Sequence, residues 1–202
     1  MLNRFRSFWA HVFTPPARFL LRHGVSPDAV TLVGTIGVVA GALVFFPRGQ
    51  LLVGVLVITA FVFSDLLDGT MARMSGTSSS WGAFLDSTLD RFGDAAIFGG
   101  LVLYYMASGD SDLFAGLALY CLVMGSVTSY ARARAESLGM EAKGGIAERA
   151  DRLVAILVMT GLSAIFGVPA LIPITLALLA VASTITVVQR ILHVRGQAQA
   201  AV

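Results

Sequence analysis

The chain has 202 residues, 56% of them hydrophobic and only 13% charged, about half the charged share of a soluble globular domain, which excludes an ordinary water-soluble fold. The net charge of +2 says little as a total, and no nucleic-acid partner is expected. A single cysteine, Cys121, excludes an intramolecular disulfide and reads as a small buried apolar residue.

The opening residues, MLNRFRSFWAHVF, place Leu2, Phe5, Phe8, Trp9 and Val12 at helical spacing, with Asn3, Arg4, Arg6 and His11 mostly on the other side. That pattern predicts an amphipathic helix lying in the membrane interface within region 1–23. It has neither the unbroken apolar core nor the small-residue cleavage site of a secretory signal. Six runs follow that approach the roughly 20 apolar residues of a bilayer crossing: about 27–46, 51–73, 83–107, 113–138, 149–166 and 170–192. The expected fold is an all-α integral membrane protein, one domain over 1–202, with a six-helix bundle over 24–202. Ser26-Pro27 opens the first span as a cap followed by proline at the first helical position, and Phe46-Pro47 closes it. Gly109 to Asp112 and Gly167 to Pro169 mark later hairpins.

Basic residues fall on one side of this layout. Arg4, Arg6, Arg18 and Arg22 precede the first span, and Arg73 follows the second. Arg132, Arg134, Lys143, Arg149 and Arg152 surround the loop between the fourth and fifth, and Arg190 and Arg195 end the sixth. The other side has only Arg48 near a helix end, with Asp110 and Asp112. Because cytoplasmic flanks are enriched in Lys and Arg, both termini are expected in the cytoplasm, in a cell membrane.

One stretch on the cytoplasmic side breaks the apolar pattern: DLLDGTMARMSGTSSSWGAFLDSTLD, from Asp65 to Asp90. Asp65 and Asp68 share one helix face; Asp86 and Asp90 share a face of the next helix. The turn between them is short enough to make the two helices antiparallel neighbours, so four carboxylates can converge on one cavity. Four such charges at membrane depth repel one another and need a cation. Hard oxygen ligands favour Mg²⁺, Mn²⁺ or Ca²⁺, and a pair of such ions can grip a phosphate under attack. Gly69 and Gly82 remove side chains where a ligand approaches the backbone, and Arg73 offers a fork of donors to a phosphate. Ion pairing with Arg73 and Arg91 accounts poorly for four acids at this spacing. A divalent-cation transporter, the alternative from another class, requires acids through the full membrane depth and leaves Gly69 and Arg73 unexplained.

The spacing Asp65-x-x-Asp68-Gly69-x-x-Ala72-Arg73, eight residues, Gly82-x-x-x-Asp86-x-x-x-Asp90 resembles the signature of the CDP-alcohol phosphotransferases. The layout of helices is similar to that family over nearly the whole chain. The resemblance implies that Asp65, Asp68, Asp86 and Asp90 bind two Mg²⁺ ions, with Mn²⁺ as the alternative, and that Asp90 also takes the proton from the attacking alcohol. It implies that Asp28, Ala29, Val30, Thr31, Gly69, Arg73 and Ser79 contact the CDP moiety of CDP-diacylglycerol, with Ala72 and Gly82 leaving room. A homodimer among membrane lipids is expected on the same ground.

The basic cluster bears on the acceptor. Arg132, Arg134, Arg149, Arg152 and Arg190 lie on three helix ends, and jointly they favour an anionic acceptor over serine or another zwitterion. The stretches SYARARAES, GGIAERADRL and VASTITVVQR are similar to those of family members that use inositol-1-phosphate. In those members one basic residue from each of the last three spans holds the acceptor phosphate, which maps to Arg132, Arg152 and Arg190. Relatives often carry lysine at the first of these positions. Glycerol-3-phosphate is the alternative acceptor.

Overall fold

The computed structural model describes residues 13–76 and 79–200, apart from the side chains of Asp65 and Leu66. The expected interfacial helix falls largely outside these residues; a helix, α1, occupies 13–22. No strand occurs among the described residues.

Ser26 caps α2 (Pro27–Ala40), its Oγ accepting the Ala29 N–H at 3.2 Å. The proline at the first helical position has no N–H to leave orphaned there. A π-helical turn (Gly41–Phe45) and a 3₁₀ turn (Phe46–Arg48) complete this stretch. The expected second span is two helices, α3 (Leu51–Val62) and α4 (Ser64–Ser75), interrupted at Phe63. Gly76, at φ 66°, stops α4 in a backbone conformation that costs a residue with a Cβ more. Ser79 then caps α5 (Ser80–Met106) by accepting the Gly82 N–H at 3.1 Å, so this helix starts a turn earlier than the apolar run suggests. The chain continues through α6 (Asp112–Ser137), α7 (Arg149–Phe166) and α8 (Leu171–Ala200). Glu148 and Asp151 form a reciprocal capping box at the start of α7. α8 runs beyond its apolar portion to Ala200.

Among the described residues, four stretches are long and apolar enough to cross a membrane: Pro27–Arg48, Leu51–Ser75, Asp112–Ser137 and Leu171–Ala200. α5 and α7 carry too much charge to count by composition: Asp86, Asp90, Arg91 and Asp94 in one, Arg149, Asp151 and Arg152 in the other. Large apolar side chains face outward, among them Ile36, Leu56 and Leu178. Such a surface suits lipid and would aggregate in water. The chain is a membrane protein.

Helix packing relies on glycine. An added Cβ on Gly37 would lie 2.2 Å from the Phe61 ring, and one on Gly34 2.8 Å from Ser64 Cβ, where α2 meets α3 and α4. On α5, a Cβ at Gly100 would come within 2.9 Å of the Ala42 carbonyl oxygen. In lipid, where apolar burial gives helices little reason to associate, such close backbone contact supplies the attraction. One consequence corrects the expected arrangement: α4 and α5 are not chiefly each other's neighbours. Both pack on α2.

Candidate active site

A cavity of about 540 Å³ opens where the N-terminal end of α2, the middle of α4 and the first turns of α5 meet. Asp28 and Thr31 reach it from α2, Asp68, Gly69, Ala72 and Arg73 from α4, and Ser79, Gly82 and Asp86 from the start of α5. The expected nucleotide-site residues are thus gathered on one cavity, except Ala29 and Val30. At 100° per residue these two point away from the face that Asp28 and Thr31 share. Ser26, Pro27 and Ala83 also line the cavity.

Asp68 is 7% exposed, and the Thr31 hydroxyl donates to its Oδ2. Asp86 and Asp90 both act on it electrostatically. Asp28 accepts a hydrogen bond from the Trp81 indole at 3.1 Å, joining the starts of α2 and α5. Arg73 is exposed and donates to Thr70 at 3.1 Å, its remaining donors being available to a ligand. Among the described residues, only Arg73 Nη1, at 3.5 Å, lies near the place a Gly69 Cβ would take. A ligand can therefore approach the α4 backbone closely there.

Asp90 stands apart from the cavity wall. Its Oδ1 lies 2.9 Å from Arg149 Nη1, and Arg149 Nε donates to Asp94 Oδ1 at 2.9 Å. Arg91 approaches the same two carboxylates less closely, at 3.7 and 3.6 Å. The partner of these acids is therefore chiefly Arg149, 59 residues along the chain from Asp90, a pairing that no local spacing reveals.

The donor set fits a hard divalent cation. Asp68 and Asp86 make no ion pair among the described residues, and a nearly buried carboxylate with only a hydroxyl for a side-chain partner calls for positive charge. Asp65 sits one turn before Asp68 on α4, its side chain outside the described set. Among the described residues, no three acidic, imidazole or thiol groups converge into a ready-made cage.

The basic residues divide in two. Arg132 is exposed and paired with Glu136 at 2.9 Å. Arg152 and Arg190 are 2% and 5% exposed. Their hydrogen bonds go to backbone carbonyls: Arg152 Nη1 to Ala147 at 2.9 Å, Arg190 Nε to Gly144 at 3.1 Å and its Nη1 to Thr128 at 2.7 Å. Among the described residues neither pairs directly with a carboxylate. Asp94 acts on Arg152 from farther off, as Glu136 and Glu148 do on Arg190, and the two arginines act on each other and on Arg132 or Arg149. Two buried guanidiniums held by carbonyls keep their charge, with no carboxylate bonded to them among the described residues.

An aspartate-lined cavity and a buried pair of guanidiniums on a helical membrane scaffold are the parts of a phosphoryl-type transferase. Residues 24–188 match the CDP-alcohol phosphatidyltransferase family, and the chain belongs to it. It is an enzyme of that family, divalent-metal dependence included, which removes the transporter alternative. The chain is 53% identical over 204 residues to a phosphatidylinositol phosphate synthase of Streptomyces avermitilis, covering 98% of this chain and 84% of that one. A phosphatidylinositol phosphate synthase of Cutibacterium acnes is 54% identical over 202 residues, covering 96% and 98%. The crystal structure of the Mycobacterium tuberculosis phosphatidylinositol phosphate synthase with CDP-DAG bound superposes with a TM-score of 0.88 at 44% identity, over 91% of this chain and 94% of that one. The structure of the same enzyme with manganese and citrate gives 0.85 at 45% identity, over 90% and 88%.

Proposed function

We propose that this enzyme transfers the phosphatidyl group of CDP-diacylglycerol to the hydroxyl of inositol-1-phosphate, giving phosphatidylinositol phosphate and CMP. The observation that carries the acceptor is the pair of buried arginines, Arg152 and Arg190, bonded to carbonyls and not to carboxylates. The named relatives, at 53% and 54% identity over nearly the whole chain, support the same reading.

In this reading the cavity between α2, α4 and α5 takes the CDP moiety. Asp28, Thr31, Gly69, Arg73 and Ser79 touch it, and Ala72 and Gly82 leave it room. Ala29 and Val30 shape the α2 turn that presents Asp28 and Thr31. Asp65, Asp68, Asp86 and Asp90 hold two Mg²⁺ ions, which when bound offset charge on the pyrophosphate and on departing CMP. Arg132, Arg152 and Arg190 fix the acceptor phosphate. The acceptor oxygen bonds to the lipid-side phosphorus, the bond from that phosphorus to CMP breaks with its electron pair, and the hydroxyl proton passes to Asp90.

The scaffold is one domain with six crossings: the four apolar stretches together with α5 and α7, on which Asp86 lines the cavity, Asp90 and Asp94 pair with Arg149, and Arg152 is buried. Region 1–23 lies in the interface, both termini face the cytoplasm of the cell, and the enzyme is a homodimer. The test is CMP release by the purified protein in detergent with CDP-diacylglycerol and Mg²⁺. Inositol-1-phosphate, glycerol-3-phosphate, free inositol and serine are compared, with EDTA and Mn²⁺ arms. Release with inositol-1-phosphate alone, abolished by EDTA, is expected. Release with glycerol-3-phosphate alone would keep the aspartate chemistry and overturn the acceptor.

A further inference from the structure

The loop between α6 and α7 is strapped to α8 by residues that belong to no expected site. Thr186, fully buried on α8, accepts the Ala147 N–H on its Oγ1 at 3.1 Å and donates to the Ala182 carbonyl at 2.8 Å. Gly145 has φ +136°, and a Cβ there would lie 2.3 Å from the Thr186 methyl. The loop therefore rests against Thr186 with no room for a side chain, in a conformation that favours glycine.

The same short segment holds both buried arginines. The Gly144 carbonyl receives Arg190 Nε, and the Ala147 carbonyl receives Arg152 Nη1. From the other side, the Thr128 carbonyl of α6 receives Arg190 Nη1, and the Arg152 guanidinium lies 3.4 to 3.6 Å from where a Gly125 Cβ would stand. Each guanidinium is thus caught between α6 and the loop. The orientation of its remaining donors depends on where the loop carbonyls sit.

We infer that Gly145 and Thr186 are positioning residues for the acceptor anion: they fix the carbonyls of Gly144 and Ala147, which in turn aim Arg190 and Arg152. The inference rests on the acceptor reading above and adds to it the residues that set the geometry. Neither residue lines the α2–α4–α5 cavity, so their loss acts on the acceptor and spares the CDP-linked donor.

The experiment measures initial rates of CMP release by the purified full-length protein in detergent, titrating inositol-1-phosphate and CDP-diacylglycerol separately. Thr186→Val keeps the shape and removes the hydroxyl that anchors Ala147. Gly145→Ala introduces the Cβ, and Gly145→Ala with Thr186→Ser removes the methyl it meets while keeping the hydroxyl. Thr186→Val and Gly145→Ala are expected to raise the inositol-1-phosphate KM about tenfold, the worth of one charge-assisted contact, with the CDP-diacylglycerol KM within about twofold of wild type. The double variant moves the acceptor KM back toward wild type. An unchanged acceptor KM in both single variants would overturn the inference, as would an equal rise in both KM values, which marks a merely structural loss. Arg190→Ala separates the two levels. If its acceptor KM rises while those of the loop variants do not, the loop inference fails and the acceptor reading stands; if its acceptor KM is also unchanged, both fall.

Discussion

Arg149, at the start of α7, holds Asp90, the last aspartate of the signature on α5, with Nη1 and Oδ1 2.9 Å apart. Its Nη2 also donates to the Asp90 backbone carbonyl at 3.4 Å, and its Nε reaches Asp94 one turn on. One side chain thus fixes both the rotamer of Asp90 and the place of its helix against α7. Arg91 Nη2 approaches the other oxygen, Oδ2, at 3.7 Å.

Replacing Asp90 with Asn keeps the shape and removes the base proposed above. Turnover is expected to fall between about a hundredfold and ten-thousandfold, the range that a positioned general base supplies. Thermal unfolding in detergent should change little, because Asp94 still pairs with Arg149. Wild-type turnover by a folded Asp90→Asn enzyme would refute the assignment of the base.

Arg149→Met removes the clasp and keeps the longer contacts of Arg91 to both carboxylates. Loss of these charge-assisted hydrogen bonds should cost about 2 kcal/mol of stability. Turnover should fall as well, while the acceptor KM moves less than in Arg190→Ala. Denaturant unfolding and initial rates on the same preparation check both. A variant of unaltered stability would show that the pair contributes nothing.

Thr31→Val deletes the hydroxyl that donates to Asp68. A nearly buried carboxylate then loses its side-chain partner, at a cost of about 1 to 2 kcal/mol. The Mg²⁺ concentration for half-maximal rate should shift, since Asp68 is free to take other rotamers. Direct Mn²⁺ titration by paramagnetic resonance reads the same change without turnover. An unmoved titration would mean that Thr31 serves the nucleotide alone.

Gly37→Ala drives a methyl to 2.2 Å from the Phe61 ring. Overpacking at this crossing of α2 and α3 should destabilise the protein by about 1 to 3 kcal/mol. Phe61→Leu in the same chain should restore part of it by vacating the space. If the double variant is no better than Gly37→Ala, the contact is not what limits the packing.

Much of this molecule is legible in its sequence, and the limits have physical causes. Helix ends lie within a few residues of the expected boundaries wherever a cap or a turn residue marks them, as Ser26-Pro27 and Gly167 do. The break at Phe63 has no such marker, and the run from Leu51 to Arg73 reads as one helix. Asp68 and Asp86 reach the cavity as their helical spacing requires. Spacing along one helix cannot say which third helix two others pack on, so the packing of both α4 and α5 on α2 is not legible in the sequence. Arg149 illustrates the same boundary. It is visible as one charge among several at a helix start, but its pairing with Asp90 is a tertiary fact. Resemblance puts Arg132, Arg152 and Arg190 on one footing, and only burial tells the last two apart from the first.

The carbonyl-bound arginines set a charge balance inside an apolar bundle. Carbonyl dipoles orient a guanidinium without cancelling its charge, so the α6–α8 region stays net positive. A neutral polyol of the right size leaves that imbalance as it was, whereas a phosphomonoester removes it. Selection of a phosphorylated over an unphosphorylated acceptor can therefore come from the electrostatics of the scaffold itself, before any contact reads the sugar-like ring. In the proposed acceptor reading, the ring then needs only to be admitted, and the phosphate is what is weighed.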